Sequence, residues 1–125
     1  MKVLRITKGF AQLLHMLRAK YITKYETLTD VLNHIIVGND EKLMLDALEL
    51  SKQVIDDKKL TNIMINNETI TTLKMVQMRY KKRHNKVVAL GEIAETLCTK
   101  SLRSHCYREL LKESLWYSYL KNITT

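Results

Sequence analysis

Apolar residues recur at spacings of three and four through most of the chain. Across residues 40–57, Leu43, Ala47, Leu50 and Val54 form one stripe, flanked by Leu48 and Ile55, and this spacing predicts an amphipathic helix. Asn39 or Asp40 stands where its N-cap belongs, and acidic residues fill its first turn, where they complement the helix dipole. Residues 68–80 repeat the pattern with Ile70, Leu73, Met75 and Val76; Asn66 or Asn67 is placed to cap them, with Glu68 just inside the start. Residues 85–98 carry Val87, Leu90, Ala94 and Leu97, and Leu60, Ile63 and Ile65 mark a shorter turn and helix over residues 58–67. Gly91, inside the predicted long helix, costs roughly 1 kcal/mol relative to alanine. The expected reason for it is close approach of a neighbouring helix.

The apolar positions also suggest a repeat. Glu26-Thr27-Leu28 and Glu68-Thr69-Ile70 lie 42 residues apart, and Glu113-Ser114-Leu115 is a third near copy. The same shift superposes Val3 on Leu45 and Val87, Ile6 on Leu48 and Leu90, and Leu13 on Ile55 and Leu97. Agreement between a polar signature and an apolar ladder points to a repeated unit of short, medium and long helix, and a period of this length belongs to helical solenoids.

The unit resembles the armadillo repeat, with a HEAT-like helix pair as a close relative. Glu-Thr-Leu, Glu-Thr-Ile and Glu-Ser-Leu stand at the start of the second helix, and the runs beginning Ala47-Leu48 and Ala89-Leu90 stand in the third. The resemblance implies an all-α, right-handed solenoid of about three repeats in a single domain, 1–125. Residues 1–17 would be a partial leading repeat, 18–57 and 58–99 full repeats, and 101–125 a partial closing one. An irregular helical bundle is the alternative fold. It further implies a concave groove that binds a polypeptide, with Glu49, Gln53, Glu92 and Glu95 as candidate contacts. Gln53 and Glu95 occupy the place of the family's groove asparagines, and Glu49 and Gly91 that of its tryptophans, a departure from the family's peptide clamp. Solenoid ends must be capped or covered, so Phe10 and Leu14 at one end, and Trp116 and Tyr119 at the other, are candidates for a patch that pairs with a second copy or another domain.

Composition agrees with a helical fold: 125 residues, no proline and three glycines. No segment approaches eighteen uncharged apolar residues, and the opening stretch lacks the apolar core of a signal peptide, so an intracellular protein, cytoplasmic or nuclear, is expected. Cys98 and Cys106 are read as small, partly buried thiols.

Lysine and arginine number 21 against 13 acidic residues, a formal charge of +8, which favours acidic partners. The densest run holds Arg79, Lys81, Lys82, Arg83 and Lys86. It is a candidate for phosphate or an acidic segment, although only Tyr80 interleaves with it, where strand-stacking proteins use several aromatics. No phosphate loop, nucleophile elbow or paired-acid motif is present. Cys98, His105 and Cys106 do not match structural zinc spacing. The sequence therefore predicts a non-enzymatic interaction module without a cofactor or metal, binding a protein or itself, with nucleic-acid binding as the alternative.

Overall fold

The computed structural model describes residues 2–37, 41–54, 57–99, 109, 110 and 112–114. The elements run β1 (Lys2–Thr7), α1 (Lys8–Lys20), α2 (Leu28–Val37), α3 (Glu41–Ser51), β2 (Leu60–Ile65), α4 (Asn67–His84) and α5 (Leu90–Thr99). The protein is mostly helical, as expected, with a two-stranded sheet that was not expected.

Both strands replace predicted helix. Residues 1–17 do not form one helix: β1 pairs antiparallel with β2, with Leu4 opposite Ile63 and Arg5 opposite Asn62. Residues 58–67 form no helix either, because Leu60–Ile65 is β2. The sequence signal is alternation. Leu4, Ile6, Ile63 and Ile65 are buried, while Val3, Arg5, Asn62 and Met64 between them are exposed, the period of two that puts one strand face on a core. Short β-branched runs of this kind also satisfy a helical template, and the chain forms a ribbon because two such runs meet. A lone pair of strands is marginal in water. Here the inner face joins the helical core through those four side chains.

Each strand runs straight into a helix. Thr7 and Asn66 are both extended N-caps; Thr7 Oγ1 accepts from the Phe10 amide and Asn66 Oδ1 from the Thr69 amide. These bonds satisfy amides that the helix itself leaves orphaned. Equivalent positions therefore lie 59 residues apart in the first part of each unit, so that buried Phe10, Ala11, Leu14 and Leu17 correspond to buried Thr69, Ile70, Leu73 and Val76. In the second helices the spacing is 62, and buried Val31, Leu32, Ile35 and Ile36 correspond to Ile93, Ala94, Leu97 and Cys98.

The chain thus contains two strand–helix–helix units, and the 42-residue register relates elements of different kinds. Residues 26–37 include the second helix of one unit, whereas 68–79 lie in the first helix of the other. The Glu-Thr echo also plays two roles. Thr27 caps α2, exchanging bonds with Asp30 (Asp30 N to Thr27 Oγ1 at 3.1 Å, Thr27 N to Asp30 Oδ2 at 3.3 Å), a capping box. Thr69 instead sits within the first turn of α4 and donates its hydroxyl to Asn66 Oδ1.

The units interlock. Alpha-helix α5 packs on β1, α2 contacts β2, and α2 packs against α5. The connecting helix α3 lies on α1 and α5, burying Leu43 and Ala47. Residues 85–98 are not one helix: Asn85 takes a left-handed conformation (φ 54°) and its amide bonds the Lys81 carbonyl, closing α4. Gly91 does mark a close approach, but to a strand. A Cβ there would lie 1.8 Å from the Arg5 carbonyl oxygen.

Candidate functional site

The helices cover one face of the ribbon and leave the other bare. The bare face presents three cross-strand pairs, Val3 with Met64, Arg5 with Asn62, and Thr7 with Leu60. Val3, Leu60 and Met64 are 55%, 54% and 51% exposed, so the bare face carries apolar side chains on both sides of the Arg5–Asn62 pair. Arg5 and Asn62 are also exposed. Beyond Thr7 the two segments stay joined: the Lys8 amide bonds the Lys59 carbonyl at 2.7 Å and the Gly9 amide the Asp57 carbonyl at 3.2 Å. That tie brings the exposed side chains of Lys8, Lys58 and Lys59 to the end of the ribbon that holds Arg5, with exposed Lys2 at the other end of β1.

A cavity of about 340 Å³ opens beside the same strand, between β1, the approach to β2 and the start of α5; Ile6, Leu60 and Ala89 line it with Lys58, Glu92 and Glu95. Thr7 joins the ribbon to this cavity. Its hydroxyl accepts from the Phe10 amide and donates to Glu95 Oε2, each at 3.2 Å. Burial raises the Glu95 carboxyl above its ordinary range, the Thr7 bond partly offsets this, and the negative charge of Glu92 adds to the rise. An apolar cavity with a half-buried acid at its wall can hold a small molecule, and Gly91, whose missing Cβ allows α5 to approach Arg5, is part of its lining.

The residues expected to share a groove are divided. Glu92 and Glu95 lie on α5 beside β1, whereas Glu49 is exposed on α3 with Lys52 Nζ 3.4 Å away, and Gln53 is exposed in the turn that follows. The basic run is divided too. Arg79 Nε donates to Glu113 Oε2 at 3.0 Å and Arg83 Nε lies 3.2 Å from Oε1 of the same buried carboxylate, so these two arginines hold a later segment against α4. Lys81, Lys82 and Lys86 are exposed. The apolar-end expectation fails at Phe10 and Leu14, which are buried on α1 as part of the hydrophobic core. Trp116, Tyr119, His105 and Cys106 lie outside the described residues. Cys98 is buried, and burial raises its thiol far above the ordinary range, leaving it un-ionised and a poor nucleophile.

Sequence reasoning missed Arg5, Asn62 and the three lysines at the ribbon end, because their significance depends on pairing between segments more than fifty residues apart. Among the described residues, no three His, Cys, Asp or Glu side chains gather as a metal site, and no helix is long and apolar enough to cross a membrane. No family model, curated protein or solved structure matches the chain.

Proposed function

We propose that the protein binds double-stranded DNA by laying the bare face of its ribbon in the major groove. The observation that carries this reading is the exposed Arg5–Asn62 pair at the centre of a helix-backed ribbon, with exposed Lys8, Lys58 and Lys59 at the ribbon end beyond Thr7 and exposed Lys2 at its other end. The groove is about 12 Å wide and admits a two-stranded ribbon. Arginine and asparagine are the side chains best matched to guanine and adenine edges there, and lysines at the margins suit phosphates, which position a reader without specifying sequence. The net charge of +8 favours approach to a polyanion.

Fluorescence anisotropy with a labelled duplex, titrated with salt, tests the reading. Arg5→Ala and the double change Lys58→Ala/Lys59→Ala should weaken binding, the double change lowering the salt slope by about 2. Lys81→Ala/Lys82→Ala should matter less, since those residues sit some 20 Å along α4 from its strand at a 1.5 Å rise per residue. Equal losses from both lysine pairs would reject the ribbon as the contact surface.

A second reading is a protein partner or a second copy of the chain, favoured by the exposure of Val3, Leu60 and Met64. It uses the ribbon face instead of the groove of an armadillo-like solenoid. Sedimentation over a wide concentration range separates the two: self-association that Met64→Glu abolishes, together with no duplex binding, selects it.

A further inference from the structure

The pseudo-twofold relation between the units has a chemical consequence for the ribbon. Thr7 and Asn66 are equivalent caps, so counting back along each strand makes Arg5 equivalent to Met64 and Val3 equivalent to Asn62. The Leu4–Ile63 pair lies on the pseudo-axis. The outward pairs on either side of it are Arg5–Asn62 and Val3–Met64. Two identical strands would present the same pair twice, whereas the pairs that flank this ribbon's axis are two hydrogen-bonding side chains on one side and two apolar side chains on the other, with Thr7–Leu60 outermost on the polar side.

The charges follow the same polarity. Lys8, Lys58 and Lys59 lie beyond the polar pair, where the chain continues past Thr7, while Lys2 stands near the apolar pair. Because both strands belong to one chain, the asymmetry is fixed covalently and cannot average out by exchange of partners.

We infer, resting on the proposed DNA binding, that the target is a non-palindromic duplex element, with guanine and adenine edges read by Arg5 and Asn62 in one half and thymine methyl groups met by Val3 and Met64 in the other. A six-residue strand rises about 3.4 Å per residue and spans about 20 Å, or about six base pairs at 3.4 Å per step. The chemistry of the halves follows from the major-groove code, in which arginine bonds guanine O6 and N7, asparagine bonds adenine N6 and N7, and apolar side chains touch the thymine C5-methyl group.

The test is selection of bound sequences from a random duplex library by the intact chain and by two variants. The wild type should enrich a motif that differs from its own inverted complement within one ribbon's span. Arg5→Ala should relax base preference by roughly 5- to 150-fold at one position of the polar half, leaving the other half unchanged. The double variant Val3→Asn/Met64→Arg puts the polar pair on both sides of the axis and should shift selection toward a palindromic motif; its folding is checked by its circular dichroism spectrum. A palindromic wild-type motif overturns the inference while leaving DNA binding in place. So does a folded double variant that selects the wild-type motif. Failure of every protein to enrich any sequence, with duplex affinity at background, removes the proposed function and the inference together.

Discussion

Thr29 Oγ1 donates to the Met64 carbonyl at 3.2 Å, and in the other unit the equivalent contact is made by Gly91 against the carbonyl of Arg5, where a Cβ would come within 1.8 Å. Each is the point where one unit's second helix meets the other unit's strand. One contact is a hydrogen bond and the other a backbone approach that only glycine allows.

Gly91→Ala should therefore destabilise the protein, although alanine is the better helix former by roughly 1 kcal/mol. Overpacking against backbone costs about 1–3 kcal/mol, so the urea midpoint should fall. A rise would mean that α5 moves off β1 without penalty. Thr29→Val, which keeps the shape and loses the donor, should cost about 1 kcal/mol, and Thr29→Ser should recover most of it.

Arg5 and Asn62 are exposed, so Arg5→Ala and Asn62→Ala should leave the unfolding midpoint within about 0.5 kcal/mol of wild type. A larger change in stability would show that the ribbon face contributes to the fold. Thermal and urea unfolding of the two variants decides this before any binding comparison is made.

Glu113 is 1% exposed and faces both Arg79 and Arg83. Glu113→Ala should remove about 1.5–3 kcal/mol, the range for hydrogen bonds to charged groups, with a lower urea midpoint. The loss is tempered by the access of Arg83 to water. An unchanged midpoint would show that the segment around residue 113 adds no stability to α4.

Two carboxylates should give opposite pH dependences. Glu95 has its folded-state value raised from 4.5 by burial, so between 4.5 and that raised value the folded state holds more protons, and stability falls as pH rises through the window. Glu95→Gln should then be more stable than wild type at pH 7 and flatter in that window. Asp46 is lowered from 3.8, chiefly by the Tyr21 hydroxyl and then by Lys20. Its contribution is present above 3.8 and lost as pH falls through the lowered value. Urea midpoints from pH 2 to 8 for Glu95→Gln and Asp46→Asn resolve the two signs.

Much of the helical structure was legible in the sequence. Asn66 as a cap, the stripe of Ile70, Leu73 and Val76, and the apolar residues that became α3 and α5 all follow from local rules, because capping and helical spacing act over three or four residues. Helix ends were less legible: α3 stops at Ser51 and Asn85 closes α4, where the apolar pattern alone would run on. The cost of tightening the chain at Gly91 was visible as well.

The sequence by itself determined a mostly helical, basic protein, whereas its 42-residue echo predicted about three repeats in place of two strand–helix–helix halves. Only the tertiary structure decided what the halves are. Whether KVLRIT and LTNIMI become helix or strand depends on their finding each other across the chain, since an unpaired strand leaves its backbone groups without partners and either run can satisfy a helical template. Pairing then set the true spacing at 59 and 62 residues and put Arg5 beside Asn62, while a separate long-range contact, with Glu113, divided the basic run at residues 79–86 into two arginines bound to that carboxylate and a set of exposed lysines. Local propensity carries no information about such long-range partners, and the candidate site is made entirely of them.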